Sequence, residues 1–356
     1  MKIGLRNRVT AVVRDERFLE HAVEKECPEK PDRLRAVYDH IDDSGMSANL
    51  VVLPPRMASR DLLNRVHAPS YVERIFASAS TDFTPLSLDT GASRHSCRAA
   101  RLAAGGTVAA VEAVQAGRAA SAFVLARPPG HHAEKSRAMG YCLFNNVAIG
   151  ARFARDELGL DRVLIVDWDV HHGNGTQHLF EADPTVLFFS VHQQPLFPGS
   201  GHYTEIGIRA GEGYTCNVPL PRGYGTVEYA GILRQLLSPL AFEFQPDLVL
   251  VSAGFDIHRA DPLGGMRVSG SGFAALTRIL LDLAAECCGG KVVFCLEGGY
   301  DRTALARGVV AVLGEMTGLT ATPVPDGGKE KGAARRLAYA VKRCRQVHRR
   351  FWKCYQ

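Results

Sequence analysis

Residues 166–175 read VDWDVHHGNG. Asp167, Asp169, His171 and His172 crowd together at the end of the apolar run RVLIV (162–166), just ahead of Gly173 and Gly175. An apolar run without alternation suits a strand covered on both faces, as in a parallel sheet. If this strand continues to Asp169, side chains alternate: Asp167, Asp169 and His171 share one face, and Trp168 and Val170 take the other. Open α/β sheets hold their ligands just past the carboxyl ends of such strands. Two carboxylates buried there are unfavourable unless something positive lies between them. A divalent cation meets that need, and a mixed Asp/His donor set suits Zn²⁺ or Fe²⁺ better than Mg²⁺ or Ca²⁺. A turn of satisfied polar residues is the plainer alternative, but the density and position of these side chains weigh against it.

Four further runs have the same character: AFVLA (122–126), VLFFSV (186–191), LVLVS (248–252) and KVVFCL (291–296). Helical spacing lies between or around them, over about 92–117, 143–158, 226–243, 271–287 and 302–317. Strands alternating with helices predict an α/β protein whose central sheet is mostly parallel and carries helices on both faces. Other predicted strand ends also carry polar groups: RPPGHHA (127–133) with His131 and His132, AGFDIHRADPLGG (253–265) with Asp256 and Asp261, and EGGYD (297–301) with Glu297 and Tyr300. In a parallel sheet these ends converge on one rim.

The 356 residues are 46% hydrophobic and 22% charged, as expected of a globular chain with ample core. A net charge of +5 is too thinly spread for a nucleic-acid binder. No run approaches the roughly 20 apolar residues of a membrane span, and MKIGLRNRVTAVVRDER lacks the features of a signal peptide. Nine cysteines without a CxxC, including Cys142, Cys216, Cys287, Cys288 and Cys295, read as reduced, mostly buried thiols of a cytoplasmic protein. Residues 1–320 are expected to form the catalytic domain. Residues 321–356 follow as a Pro/Gly loop and a basic helix with Leu337, Val341, Cys344, Val347 and Phe351 on one face. That face is expected to dock on the same domain, in preference to a membrane or nucleic acid.

The chemistry can be assembled from residue types. Asp169, His171 and Asp256 make three protein ligands and leave a position open for water, as catalytic zinc sites do. The cation lowers the pKa of that water. A nearby histidine can move its proton, a tyrosine can donate to an oxyanion, and Asp167 can fix a histidine tautomer. The sum is metal-assisted hydrolysis of an amide.

With these segments, and with GYCLFNNVA (140–148), FFSVHQQPLFPGSG (188–201), GYTCNVPLP (213–221), PEKPDRL (28–34) and VHAPSY (66–71), the chain resembles the zinc-dependent histone deacetylase family. The likeness covers about residues 10–318, and HHGNG points to its class II and bacterial branch. It implies the arginase/deacetylase fold, three layers around a sheet of about eight strands. It implies Zn²⁺ on Asp169, His171 and Asp256, with Fe²⁺ as the alternative in the cell. His132 is then the general base, oriented by Asn174, with His131 beside it supported by Asp167, and Tyr300 is the oxyanion donor. Tyr141 and Phe197 become the walls of an acyl-lysine tunnel, with Gly140, Leu263, Gly298 and Gly299 also at the substrate. Structural K⁺ falls to Asp167, Asp169, His171, Ser190 and Val191, and a second K⁺ to Phe180, Asp183 and Val186. Arg33 lines an internal channel.

Two departures bear on specificity. Cys27 replaces the histidine that often opens the HPE loop at the entrance. Leu263 stands where polyamine-selective members carry glutamate, although Glu205 or Glu212 could supply an acidic rim. The expected activity is deacetylation of acetyl-lysine in proteins or peptides. The alternatives are small acetylated amines such as acetylpolyamines and, from another class, a catalytically weak acyl-lysine binding module. A binuclear manganese arginase-like enzyme would leave GYCLF without a role.

Overall fold

The computed structural model describes residues 9–22, 27–325 and 332–356. The first eight residues of the N-terminal segment, and Gly327 and Gly328 of the loop before the basic helix, lie outside the described residues. The strands are β1 (Thr10–Val13), β2 (Leu50–Leu53), β3 (Phe83–Pro85), β4 (Gly91–Ser93), β5 (Ser121–Val124), β6 (Val163–Asp167), β7 (Val186–Gln193), β8 (Thr215–Leu220), β9 (Leu248–Ala253) and β10 (Val292–Leu296). β3 and β4 form a small antiparallel hairpin. The other eight form one sheet in the order β2-β1-β5-β10-β9-β6-β7-β8, and every pairing in it is parallel.

The sheet accounts for the unalternating runs. Every residue of β5, β6, β9 and β10 is buried, because helices cover both faces. Ser96–Gln115 and Asn146–Asp156 pack together in one layer, and Pro31–Asp43, Arg302–Thr317 and Gly270–Cys288 in the other. The architecture is the three-layer arginase/deacetylase fold. Side chains start two of the helices. Asp301 accepts from Ala304 N at 2.7 Å and Asn145 from Ala148 N at 3.0 Å, each satisfying a free N–H of a first turn.

Two details differ from the sequence reading. β6 ends at Asp167, two residues earlier than alternation predicts. The aspartates themselves cause this: Asp167 Oδ1 accepts Asp169 N at 3.1 Å and Asp169 Oδ1 accepts His171 N at 2.9 Å. Such side-chain turns compete with the ladder. The helix read over 226–243 contains a π-helical stretch, Leu233–Leu237. Pro239 has no N–H to continue the α pattern, and the Gln235 carbonyl accepts from Arg345 of the C-terminal helix at 3.0 Å.

The C-terminal helix, Ala333–His348, buries Leu337, Ala340, Val341, Cys344 and His348 and lies against β8 and the helix Thr226–Ile232. Trp352, just beyond it, donates to Gly213 O at 2.9 Å. Among the described residues, no helix is long and apolar enough to cross a membrane.

Candidate active site

β5, β10, β9 and β6 are neighbours in the sheet, so the polar residues after each strand meet at one end. Asp169, His171 and Asp256 converge there, with one ligand atom from each lying within 4.8 Å of the others. His171 Nδ1 sits 3.1 Å from Asp169 Oδ1 and 3.2 Å from Asp256 Oδ2. Asp256 Oδ1 accepts Val170 N at 2.8 Å, and Asp169 Oδ2 accepts Gly298 N at 2.9 Å. Asp256 Oδ2 is buried with no hydrogen-bond partner. Burial and the neighbouring Asp169 push Asp256 up to about 7. Burial acts the same way on Asp169, but His131 and His171 hold it below the ordinary carboxylate range. Two carboxylates this close in a dry site favour positive charge between them. The orphaned oxygen and the Asp₂His donor set fit a divalent metal ion.

Beside the triad the two histidines from the segment after β5 stand 3.9 Å apart, ring centroid to centroid. His131 Nδ1 is 2.9 Å from Asp167 Oδ2. Burial disfavours the charged ring, but Asp167 and Asp169 prevail and raise it to about 10. His132 Nδ1 is 2.7 Å from Asn174 Oδ1. Burial, and then the positive neighbours His131 and His171, drive it well below the usual histidine value. Adjacent histidines are thereby pushed to opposite protonation states, a pattern suited to acid–base work.

Aromatic rings flank this centre. Phe197 meets His132 edge-on at 5.1 Å and His171 at 6.2 Å. Tyr141 meets Tyr300 edge-on at 6.3 Å. Gly140 leaves room for His132, since a Cβ there would lie 2.2 Å from His132 Cδ2. Cys27 and Tyr141 line one groove of about 260 Å³. Of the four residues that crowd the end of β6, His172 turns away: it bonds Ser200 Oγ at 2.8 Å and Gln177 Oε1 at 2.9 Å. Ser190 pairs in register with Asp167 but its hydroxyl meets His192 Nδ1 at 2.9 Å. Phe180, Asp183 and Val186 form a separate turn, in which Asp183 Oδ2 holds Arg152 at 2.7 Å.

Several residues make contacts at the site that the sequence reading did not give: Glu134 and Glu29 had no part in it, Glu297 and Asp261 were named only as strand-end polar groups, and Arg33 was placed only in an internal channel. Glu134 accepts from Asn174 Nδ2 at 2.5 Å and meets His178 Nδ1 at 2.8 Å. Glu297 accepts Gly130 N at 2.7 Å and Ser252 Oγ at 3.0 Å, tying β9 and β10 to the histidine loop. Asp261 accepts Tyr300 N at 2.6 Å and Leu263 N at 2.9 Å. Arg33 donates to Gly299 O at 2.6 Å, Glu297 O at 2.7 Å and Glu29 Oε1 at 2.9 Å. Glu29 also holds Arg127, at 2.5 Å. Their signal in the sequence is adjacency to the motifs (Glu134 follows HHA and Glu297 precedes GGY), which says where they are but not what they touch.

The profile of the histone deacetylase domain matches residues 27–316. The chain is 35% identical, over 98% of its length, to a probable deacetylase of Archaeoglobus fulgidus, 100% of which is covered. It is 40% identical over 318 residues to histone deacetylase 15 of Arabidopsis thaliana, covering 87% of this chain and 57% of that protein. It is 41% identical over 314 residues to the polyamine deacetylase HDAC10 of Homo sapiens, covering 84% and 46%. The chain thus spans about half the length of these plant and human relatives. A crystal structure of the HDA15 HD domain matches with a TM-score of 0.90 at 37% identity, over 98% of this chain and 97% of that one. Fold, buried metal site and whole-length likeness agree: this chain is an enzyme of the zinc-dependent histone deacetylase family.

Proposed function

We propose that the chain hydrolyses the acetyl amide of acetyl-lysine in proteins or peptides. The observation that carries this reading is the pair His131 and His132 beside the metal triad, one on the carboxylate Asp167 at 2.9 Å and the other on the neutral amide Asn174 at 2.7 Å. A divalent cation on Asp169, His171 and Asp256, with Zn²⁺ expected and Fe²⁺ the alternative, supplies Lewis acidity that polarises the acetyl carbonyl and lowers the pKa of water. His132 is neutral and gives its Nδ1–H to Asn174, so its Nε2 accepts the proton of the attacking water and returns it to the departing lysine amine. His131 stays charged against Asp167 and favours the negative charge developing nearby. Burial raises the Tyr300 hydroxyl well above its usual pKa, so it remains a donor for the oxyanion.

Tyr141 and Phe197 wall the tunnel in this reading, with Gly140, Gly298, Gly299 and Leu263 at its floor and rim. An apolar tube accepts the lysine methylenes and a neutral acetamide and disfavours the free cation. K⁺ is assigned to Asp167, Asp169, His171, Ser190 and Val191, and a second ion to Phe180, Asp183 and Val186. Arg33, whose guanidinium lies 4.9 Å from the Tyr300 ring centroid, is assigned to the exit channel. Nine free cysteines support a reducing, cytoplasmic setting.

The likeness to a polyamine deacetylase favours a second reading, deacetylation of small acetylated amines. Rim chemistry opposes it. Leu263 offers no charge to a second amine. Glu205 is taken up by Gln177 Nε2 and the Gly201 and His202 amides, and Glu212 pairs with Arg350 at 2.8 Å. Arg222, Arg259 and Arg267 line the groove that includes the Gly264–Gly265 segment and would repel a polyamine. The test is turnover of acetyl-lysine peptides against acetylpolyamines, with Tyr300→Phe as control. Tyr300-dependent preference for peptides supports the first reading; preference for polyamines establishes the second. No turnover of either by metal-loaded protein overturns both.

A further inference from the structure

A second cluster of ligating side chains lies far in sequence from the catalytic segments, where the C-terminal helix meets the edge strand β8. Cys344 and His348 are one helical turn apart, on one face of Ala333–His348, and Cys216 is the second residue of β8. All three are completely buried. The two sulfurs are 3.3 Å apart, and one ligand atom from each residue lies within 4.8 Å of the others. Metal–sulfur bonds of about 2.3 Å in a tetrahedral site put ligand atoms roughly 3.7 Å apart, so little movement separates this cluster from a coordination shell.

His348 supplies the independent observation. Neither ring nitrogen makes a well-formed hydrogen bond: the Gly213 carbonyl faces the ring but is already engaged by Trp352 Nε1 at 2.9 Å. A buried imidazole normally finds a partner for each nitrogen, and two left unmade are costly.

We propose that Cys216, Cys344 and His348 form a structural site for a thiophilic d¹⁰ cation that fastens the C-terminal helix to β8. Soft thiolate ligands select such ions, Zn²⁺ and Cu⁺ foremost. Zn²⁺ balances the charge: the cation replaces two thiol protons, and two thiolates with a neutral imidazole leave the buried site with no net charge. The site is separate from the catalytic triad and does not depend on the reading of its substrate.

The test counts transition metal (zinc, iron and copper) per chain by mass spectrometry on full-length protein purified under reducing conditions. The expected values are two for the native chain, one for Asp169→Ala/Asp256→Ala, and none when Cys344→Ser is added. Copper in place of zinc in the middle sample identifies Cu⁺ as the occupant and supports the site equally. Because Cys344→Ser can disturb folding, the native chain is also loaded with Co²⁺. A sulfur-to-cobalt charge-transfer band in the near ultraviolet is expected, and the catalytic site cannot give one because it offers only oxygen and nitrogen. One metal per chain with no such band overturns the proposal, as does a Cys216–Cys344 disulfide in the purified protein.

Discussion

His132 can be a base only if its proton sits on Nδ1, and the side chains around it decide that. Glu134 is a carboxylate and can only accept, so the Asn174 amide turns its NH₂ toward Glu134, at 2.5 Å. The Asn174 oxygen then faces His132 Nδ1, and the lone pair is left on Nε2. His178 closes the chain at the surface, 2.8 Å from Glu134. Glu134→Ala frees Asn174 to rotate and is expected to lower kcat roughly 10–100-fold with metal content unchanged; steady-state kinetics beside metal analysis checks this, and an unchanged kcat removes Glu134 from the orientation of His132. In the proposed mechanism Tyr300→Phe removes one donor to the oxyanion. Its kcat is expected to fall about 10²–10³-fold, with the metal retained. Near-normal turnover in that variant would take Tyr300 out of the mechanism.

The loop after β10 shapes the metal site as much as the loop after β6 does. A Cβ on Gly298 would lie 2.1 Å from Asp256 Oδ2 and 2.7 Å from Asp169 Oδ2, so only glycine lets this backbone pass beneath both carboxylates. Gly298 also donates its N–H to Asp169. Gly298→Ala is expected to weaken metal binding at least about 10-fold, as loss of a ligand-orienting contact does, while the folded core persists. Metal titration of the apo-protein measures it, and native affinity in the variant would show that the loop can shift at little cost. Asp256→Ala goes further and is expected to lose both metal and activity, since a two-ligand remnant cannot close the site.

Buried ion pairs join parts of the molecule that are distant in sequence. Glu29 holds Arg33 at the start of the helix Pro31–Asp43 and Arg127 after β5, and all three are buried. Burial alone would raise Glu29, but Arg127 and Arg33 reverse this and hold it at about 2, against an ordinary 4.5. The folded state therefore binds fewer protons between these values. Its contribution to stability is complete above about pH 4.5 and is lost as pH falls through about 2. Glu29→Gln leaves two buried guanidinium groups without their carboxylate and is expected to cost roughly 3–5 kcal/mol at neutral pH. Denaturant unfolding at pH 7 and at pH 3 checks both parts: the variant should be much less stable at pH 7, and the gap should narrow in acid. A gap independent of pH would mean that packing, not charge, is what the substitution removes.

Local patterns made the layers and the reactive residues legible. The five apolar runs became β5, β6, β7, β9 and β10 because burial on both faces leaves its mark within each segment. Asp169, His171 and Asp256 stood out because carboxylates at the ends of such runs need a compensating charge. β1, β2 and β8 were not read as strands: β1 is buried but only four residues long, Val51 and Val52 of the edge strand β2 are 48% and 57% exposed, and β8 carries Pro219, which is tolerated at a sheet edge. His172 carried the same local signal as His171, and only its bonds to Ser200 and Gln177 exclude it from the centre. The strand order that sets β9 between β10 and β6, the grip of Glu134 on Asn174, the Glu29–Arg33–Arg127 cluster and the meeting of Cys216 with Cys344 and His348 all join segments remote in sequence. The amino-acid sequence by itself determined the layered α/β class and which buried runs end in polar groups, because both follow from periodicity and residue type. Only the tertiary structure decided which of those residues face one another, because that depends on how distant strands and helices pair and pack.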